Sequence, residues 1–202
     1  MEKFTTLTGV AAPLMEANIN TDIIIPIKRL VGTDRSTMGA YAFEPWRYRS
    51  EGVENPDFVL NQDGYRDATI LIAGPNFACG SSREGAVWAL DGIGIKAVIA
   101  PSFGGIFFNN CFQSGILPIV LAPDVVDDFA ARAGPGAAFT IDLEALAITP
   151  PNGQPVAFEV EPFRRAALLA GLDDVGMTLK RADEIAAFQD ADRVDRPWIY
   201  PA

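Results

Sequence analysis

Three segments follow one another directly: Ala68-Thr69-Ile70-Leu71-Ile72-Ala73, then Gly74-Pro75-Asn76-Phe77-Ala78-Cys79-Gly80-Ser81-Ser82-Arg83-Glu84, then Gly85-Ala86-Val87-Trp88-Ala89-Leu90. The first is a short continuous apolar run, the pattern of a strand buried on both faces. The second is Gly-rich and polar, the composition of a loop. From Ser82 to Leu90 the spacing predicts a helix, which Gly92-Ile93-Gly94 ends. Downstream, residues 96–100 read as a strand, 103–112 as a helix and 117–121 as a strand. Strands alternating with helices argue for parallel pairing, hence an α/β fold with a mainly parallel core sheet.

The pattern changes after Asp124. Residues 125–133 read as a helix, and 138–143, 145–149 and 156–160 as strands joined through Pro150-Pro151-Asn152-Gly153, an antiparallel appendage. A helix over 162–169 stops at Gly171, and another covers 183–190. Nearer the N-terminus, Ile23-Ile24-Ile25 reads as a buried strand stopped by Pro26. The chain is expected to form a single domain over 1–202. It has a long loop at about 28–61, a Ser-Ser-Arg loop at 74–84 and a helical tail at 162–202. A loop as long as 28–61 is more often functional than idle.

The 202 residues carry 16 Lys+Arg against 26 Asp+Glu, a net charge of −10, with no concentrated basic stretch. Such a chain does not attract phosphate backbones, so no nucleic-acid partner is expected. No apolar run approaches the roughly 20 residues of a membrane span. No signal peptide is visible, and the expected location is cytoplasmic, with Cys79 and Cys111 reduced and structural. There are no histidines. That removes Ser-His-Asp and Cys-His catalysis and every His-containing metal site. Two cysteines without a C-x-x-C cannot hold an iron–sulfur cluster, so no metal ligands are expected in this chain.

The loop from Gly74 to Glu84 offers chemistry of its own. Free N–H groups and the positive dipole end of a helix start favour an anion. Two hydroxyls and a guanidinium add donors, and Arg can grip a carboxylate with two parallel bonds. The segment therefore suits a carboxylate or phosphate pocket. It equally suits an N-cap at Ser81 or Ser82 with Arg83 and Glu84 solvated.

The sequence resembles the small subunits of 3-isopropylmalate dehydratase, a stand-alone form of the aconitase swivelling domain. The resemblance runs over nearly the whole chain. It rests on Asn20-Thr21-Asp22 with Ile24-Ile25-Pro26, on Trp46-Arg47, and on Pro56-Asp57-Phe58-Val59-Leu60-Asn61. The core match is Asn76-Phe77-x-Cys79-Gly80-Ser81-Ser82-Arg83-Glu84, with Ala97-Val98-Ile99-Ala100-Pro101-Ser102-Phe103 after it. Phe163-Arg164-Arg165 and Gly171-Leu172-Asp173 lie near the end. It implies a β/β/α swivelling domain paired with a large subunit that holds a [4Fe-4S] cluster on its own cysteines. The pair would interconvert 2- and 3-isopropylmalate by dehydration and rehydration in leucine biosynthesis. By the same resemblance Ser81 is the catalytic base, and Ser82 and Arg83 bind a substrate carboxylate. Arg35, in the loop after the first strand, binds substrate near its side chain; a solvated loop charge is the alternative. Gly85 departs from the family's usual His, and Ile27-Lys28-Arg29 from its usual Lys-first run. These departures leave open another small 2-hydroxy diacid, of methylmalate/citraconate or dimethylmalate type. A non-catalytic binding module of the same fold is the alternative from another class.

Overall fold

In the computed structural model, residues 1–80 and 83–200 are described. The chain opens with β1 (Thr6–Leu14), one helical turn α1 (Thr21–Ile24), and 3-10 stretches at Ile27–Arg29 and Arg35–Tyr41. Next come α2 (Glu44–Arg47) and a hairpin of β2 (Tyr48–Ser50) and β3 (Val53–Glu54). The alternating core is β4 (Ile70–Ala73), α3 (Gly85–Gly92), β5 (Ala97–Ala100), α4 (Gly105–Ser114), β6 (Leu117–Val120) and α5 (Pro123–Arg132). After it run β7 (Ala138–Asp142), β8 (Ala147–Thr149), β9 (Val156–Ala157), α6 (Pro162–Ala170), α7 (Asp174–Leu179) and α8 (Ala182–Asp195).

The main sheet has the order β6-β5-β4-β1-β7-β8-β9. Pairing is parallel from β6 to β1 and antiparallel from β1 to β9. The expected antiparallel appendage is thus a continuation of the parallel sheet, and β1 joins the two. Its first half pairs with β7 and its second half, from Ala11, with β4. Local pattern does not single out β1, because Gly9 and Pro13 interrupt it. Tertiary contacts explain both residues. A β-carbon on Gly9 would collide with Thr69 Oγ1, so any larger residue where the strand changes partner would force the Thr69 side chain to move. Pro13 falls in the half with a partner on one side only, where a missing N–H breaks no ladder bond if it faces away from β4.

Side-chain alternation sorts the strands into two cores. Leu71, Val98 and Ala100 pack on one face with Ile24, Val87 and Leu90. Ile70, Ile72 and Ile99 face the other way, onto Val126 and Phe129 of α5. Each such fully buried Leu, Ile, Val or Phe side chain contributes about 1.5–3 kcal/mol relative to exposure.

The prediction of a strand at Ile23–Ile25 is corrected: Thr21–Ile24 is a helical turn. Asn20 caps it, its Oδ1 accepting from the Ile23 N–H at 3.0 Å. Ile24 and Ile25 are fully buried regardless. This shows why an apolar triplet alone cannot distinguish turn from strand. The 28–61 segment is also more ordered than an irregular loop. Buried Asn61 donates Nδ2–H bonds to the carbonyls of Arg47 (2.7 Å) and Asn55 (2.9 Å), stitching it together.

The 3-10 stretch Arg35–Tyr41 crosses the end of α3 through two glycines. A β-carbon on Gly39 would lie 2.4 Å from the Gly92 carbonyl carbon, which is backbone and cannot swing aside. Gly39→Ala is therefore expected to destabilise the chain by about 2 kcal/mol through overpacking, read as a lower urea midpoint with unchanged slope. Among the described residues no helix is long and apolar enough to cross a membrane.

Candidate active site

Beyond the carboxyl ends of β4 and β5, where α/β sheets usually place ligands, lies the loop that follows Ala73. It is held in a costly shape. Asn76 (φ 58°), Ala78 (φ 55°) and Gly80 (φ 96°) all have left-handed backbone. For a residue such as alanine that conformation costs roughly 1–2 kcal/mol, so surrounding contacts must impose it. Phe77 is fully buried and meets the rings of Phe103 and Phe107 edge-on. The Phe77 N–H donates to Ser102 O at 3.0 Å, and the Gly104 N–H to Phe77 O at 2.8 Å. The Asn76 N–H donates to Ser102 Oγ at 2.8 Å. On the other side the Thr21 N–H donates to Cys79 O at 3.0 Å, tying the loop to α1. The loop is clamped between the start of α1 and the β5–α4 connection.

Ser81 and Ser82, the expected base and carboxylate ligand, lie outside the described residues. Arg83 is described, mostly buried, and ion-paired through Nη1 to Oδ1 of Asp22. α3 begins at Gly85, not at the expected Ser82, so Arg83 precedes its first turn. Asp22 is the residue that sequence reasoning missed. It stands in the first turn of α1, within the Asn20-Thr21-Asp22 segment, whose turn-forming character is legible and whose charge by itself names no partner. One guanidinium nitrogen is engaged by Asp22, and the Nε–Nη2 edge has no described partner. That edge has the geometry for a bidentate carboxylate.

Arg35 is placed differently. It opens the 3-10 stretch along α3, with its Cζ 5.3 Å from the ring centroid of Trp88. It lines a cavity of about 380 Å³ together with Lys3, Asp91 and Lys96. It shares no described contact with Arg83. The connection between α1 and that stretch is pinned by Arg29. Its Nε and Nη2 donate to the two Glu44 carboxylate oxygens at 2.9 and 2.7 Å, and its guanidinium lies 4.1 Å from the Tyr41 ring centroid. The Arg29 hydrogen bonds hold the Glu44 carboxyl below its ordinary range against the opposing pull of desolvation.

Cys79 is half-buried and Cys111 buried, and both thiols are free. Burial pushes the Cys111 thiol well above its ordinary range. Among the described residues no group of three His, Cys, Asp or Glu side chains could hold a metal ion. This donor set does not fit an iron–sulfur cluster.

Three family models match the chain. The Aconitase C-terminal domain covers residues 1–124. A model described as LeuD_N covers 129–162. The C-terminal domain of the 3-isopropylmalate dehydratase small subunit covers 174–202. The chain is 56% identical over 200 residues to the 3-isopropylmalate dehydratase small subunit of Rhodospirillum centenum, covering 98% of both chains. It is 54% identical over 201 residues to that of Paramagnetospirillum magneticum, covering 98% of this chain and all of the relative. Among solved structures it resembles 3-isopropylmalate dehydratase from Methanocaldococcus jannaschii. The TM-score is 0.66 and the identity 29%, over 91% of this chain and 99% of the other.

Proposed function

Because the chain belongs to the family of 3-isopropylmalate dehydratase small subunits, we propose that it is the small subunit of a heteromeric hydro-lyase. That enzyme interconverts 2- and 3-isopropylmalate in leucine biosynthesis, in the cytoplasm. The observation that carries this beyond the family relationship is Arg83. It is held by Asp22 through one nitrogen, with the other edge of its guanidinium turned to no described partner, next to a strained loop at the carboxyl ends of parallel strands.

The [4Fe-4S] cluster implied by the family would sit on the large subunit and supply Lewis acidity, since the described residues of this chain lack the ligands for it. What this chain contributes is binding and proton transfer. Arg83 and Ser82 grip a substrate carboxylate and orient the carbon skeleton. Ser81 takes the carbon-bound proton and holds it at Oγ. A free serine is far too weak a base for this, so its alkoxide needs N–H donors and the Arg83 charge beside it. Exposed apolar residues of the C-terminal segment fit the subunit reading. α8 has no buried residue, and Phe188, Val194 and Trp198 are 65%, 80% and 77% exposed. Burial against a larger partner would remove that area from water.

Asp22 orients Arg83 in this scheme. Asp22→Ala is expected to raise KM for 3-isopropylmalate about 5–10-fold with a smaller change in kcat, the loss of one charge-assisted contact that positions a binding group. A fall in KM would instead make Asp22 a competitor of substrate.

The test of the whole proposal is an anaerobic assay of this chain with its large subunit, cluster assembled. 3-Isopropylmalate, citraconate and dimethylmaleate are offered in parallel. The expected result is strongest turnover of 3-isopropylmalate and none from either chain alone. Preference for another diacid would overturn the substrate. No turnover of any of them would favour a binding module.

A further inference from the structure

The cavity that Arg35 lines opens at the far end of the sheet from the Arg83 loop. Of its other walls, Thr6 and Leu7 begin β1, Lys96 precedes β5 and Gly115 precedes β6. These are the amino ends of the strands, whereas the loop after Ala73 leaves a carboxyl end. β4 and β5 are four residues each, so roughly 13 Å of strand lies between the two ends. Lys3, Asp91 and Ser114 complete the polar lining of this space of about 380 Å³.

Its charges are unevenly paired. Lys96 Nζ donates to Asp91 Oδ1 at 2.7 Å, which neutralises both. Lys3 and Arg35 form no ion pair among the described residues. The Arg35 guanidinium rests on the Trp88 ring, 5.3 Å from its centroid, with no described partner for its N–H donors. Glu2 also lines the cavity but is exposed, where solvent and salt screen it. Cations gather at helix C-termini for another reason, to meet the last carbonyls. That need is met here by backbone. The N–H groups of Ile93 and Ile95 close the end of α3, and that of Gly115 closes α4 on Cys111 O. Ser114 adds an independent observation. It is 8% exposed, and its buried Oγ has no hydrogen-bond partner among the described residues. A buried hydroxyl left unpaired is costly, and such a group in a native structure calls for a partner.

We propose that this cavity binds a small anion, a carboxylate or a phosphate. Lys3 and Arg35 supply the charge and the Ser114 Oγ–H a hydrogen bond. The site is independent of the dehydratase reading and of the Arg83 pocket. Its dissociation constant is expected to be about 1 mM, the level of a few charge-assisted bonds open to water.

The test uses the isolated full chain and two probes, inorganic phosphate and 3-methylbutanoate, each against sodium chloride at equal ionic strength. The indole N–H resonance of Trp88, assigned with Trp88→Phe, reports on the guanidinium stacked on that ring. It is expected to shift saturably with at least one probe and not with chloride. Lys3→Gln and Ser114→Ala should each weaken binding about 5–10-fold. Ser114→Ala should also leave the thermal midpoint of the free chain unchanged or raised by about 1–3 °C, because it removes an unpaired buried group. Arg83→Ala should leave the titration unchanged. A response to one probe alone supports the proposal and assigns the ligand class. No response to either probe, or an equal response to chloride, overturns it. Unchanged binding in either Lys3→Gln or Ser114→Ala overturns the site as drawn. Loss of the response in Arg83→Ala would place the anion at the Arg83 loop and overturn it too.

Discussion

With the large subunit present, Ser81→Ala is expected to lower kcat for 3-isopropylmalate by about 10³-fold or more, the usual scale for removing a proton-transfer group. KM should change by less than about 3-fold, because a hydroxyl used for proton transfer acts in the transition state and carries little ground-state binding. The thermal midpoint of the isolated chain should move by no more than about 2 °C, since bonds of Phe77, Asn76 and Thr21 hold the loop on both sides. Retention of kcat near wild type would remove Ser81 from the proton-transfer step. The proposed carboxylate grip of Arg83 is tested separately, by substitution at position 83.

Arg83→Lys is the second large effect. Lysine keeps the charge, and its ammonium can still reach Asp22, but it cannot make two parallel bonds to a carboxylate. Charge-assisted bonds of this kind contribute about 1.5–3 kcal/mol each, so kcat/KM is expected to fall roughly 10–100-fold. Part of that loss should appear in kcat, because a carboxylate held by a point charge lets the carbon skeleton rotate away from Ser81. Arg83→Ala should be worse again and should also leave Asp22 without its partner. Steady-state kinetics of both variants settles the matter. Equal kcat/KM for the wild type and Arg83→Lys would show that only charge is used, and the bidentate grip would be wrong.

The parts of the fold that were legible are those whose signal is local. Ile70–Ala73, Ala97–Ala100 and Leu117–Val120 are each four-residue strands within apolar runs, flanked by glycine, proline or polar turns. The helices between them keep helical spacing. Such patterns report how a residue meets solvent and its near neighbours, which a linear reading can see. β1 does not show itself because its Gly9 and Pro13 answer to Thr69 and to an unpaired sheet side, not to strand propensity. The turn at Thr21–Ile24 reads as a strand because the isoleucines alone suit either geometry, and the cap by Asn20 decides between them.

The candidate active-site loop divides in the same way. Its composition suits an anion pocket or an N-cap equally, and the absence of histidine and the shortage of cysteines rule out a self-contained iron–sulfur cluster or a His-based centre. The lean of Arg83 on Asp22, 61 residues away, cannot be seen there, and neither can the placement of Arg35 against Trp88. Gly85 stands out in the sequence as a departure, but only the structure shows that Leu30, on another segment, fills the space beside it. Chemistry of residue types and the α/β alternation are written along the chain, since each depends on neighbours within a few positions. Which guanidinium meets which carboxylate, and which glycine makes room for which side chain, depends on how α1, the 26–34 connection and α3 cross in space. That crossing is set by the two cores packed on either face of the sheet.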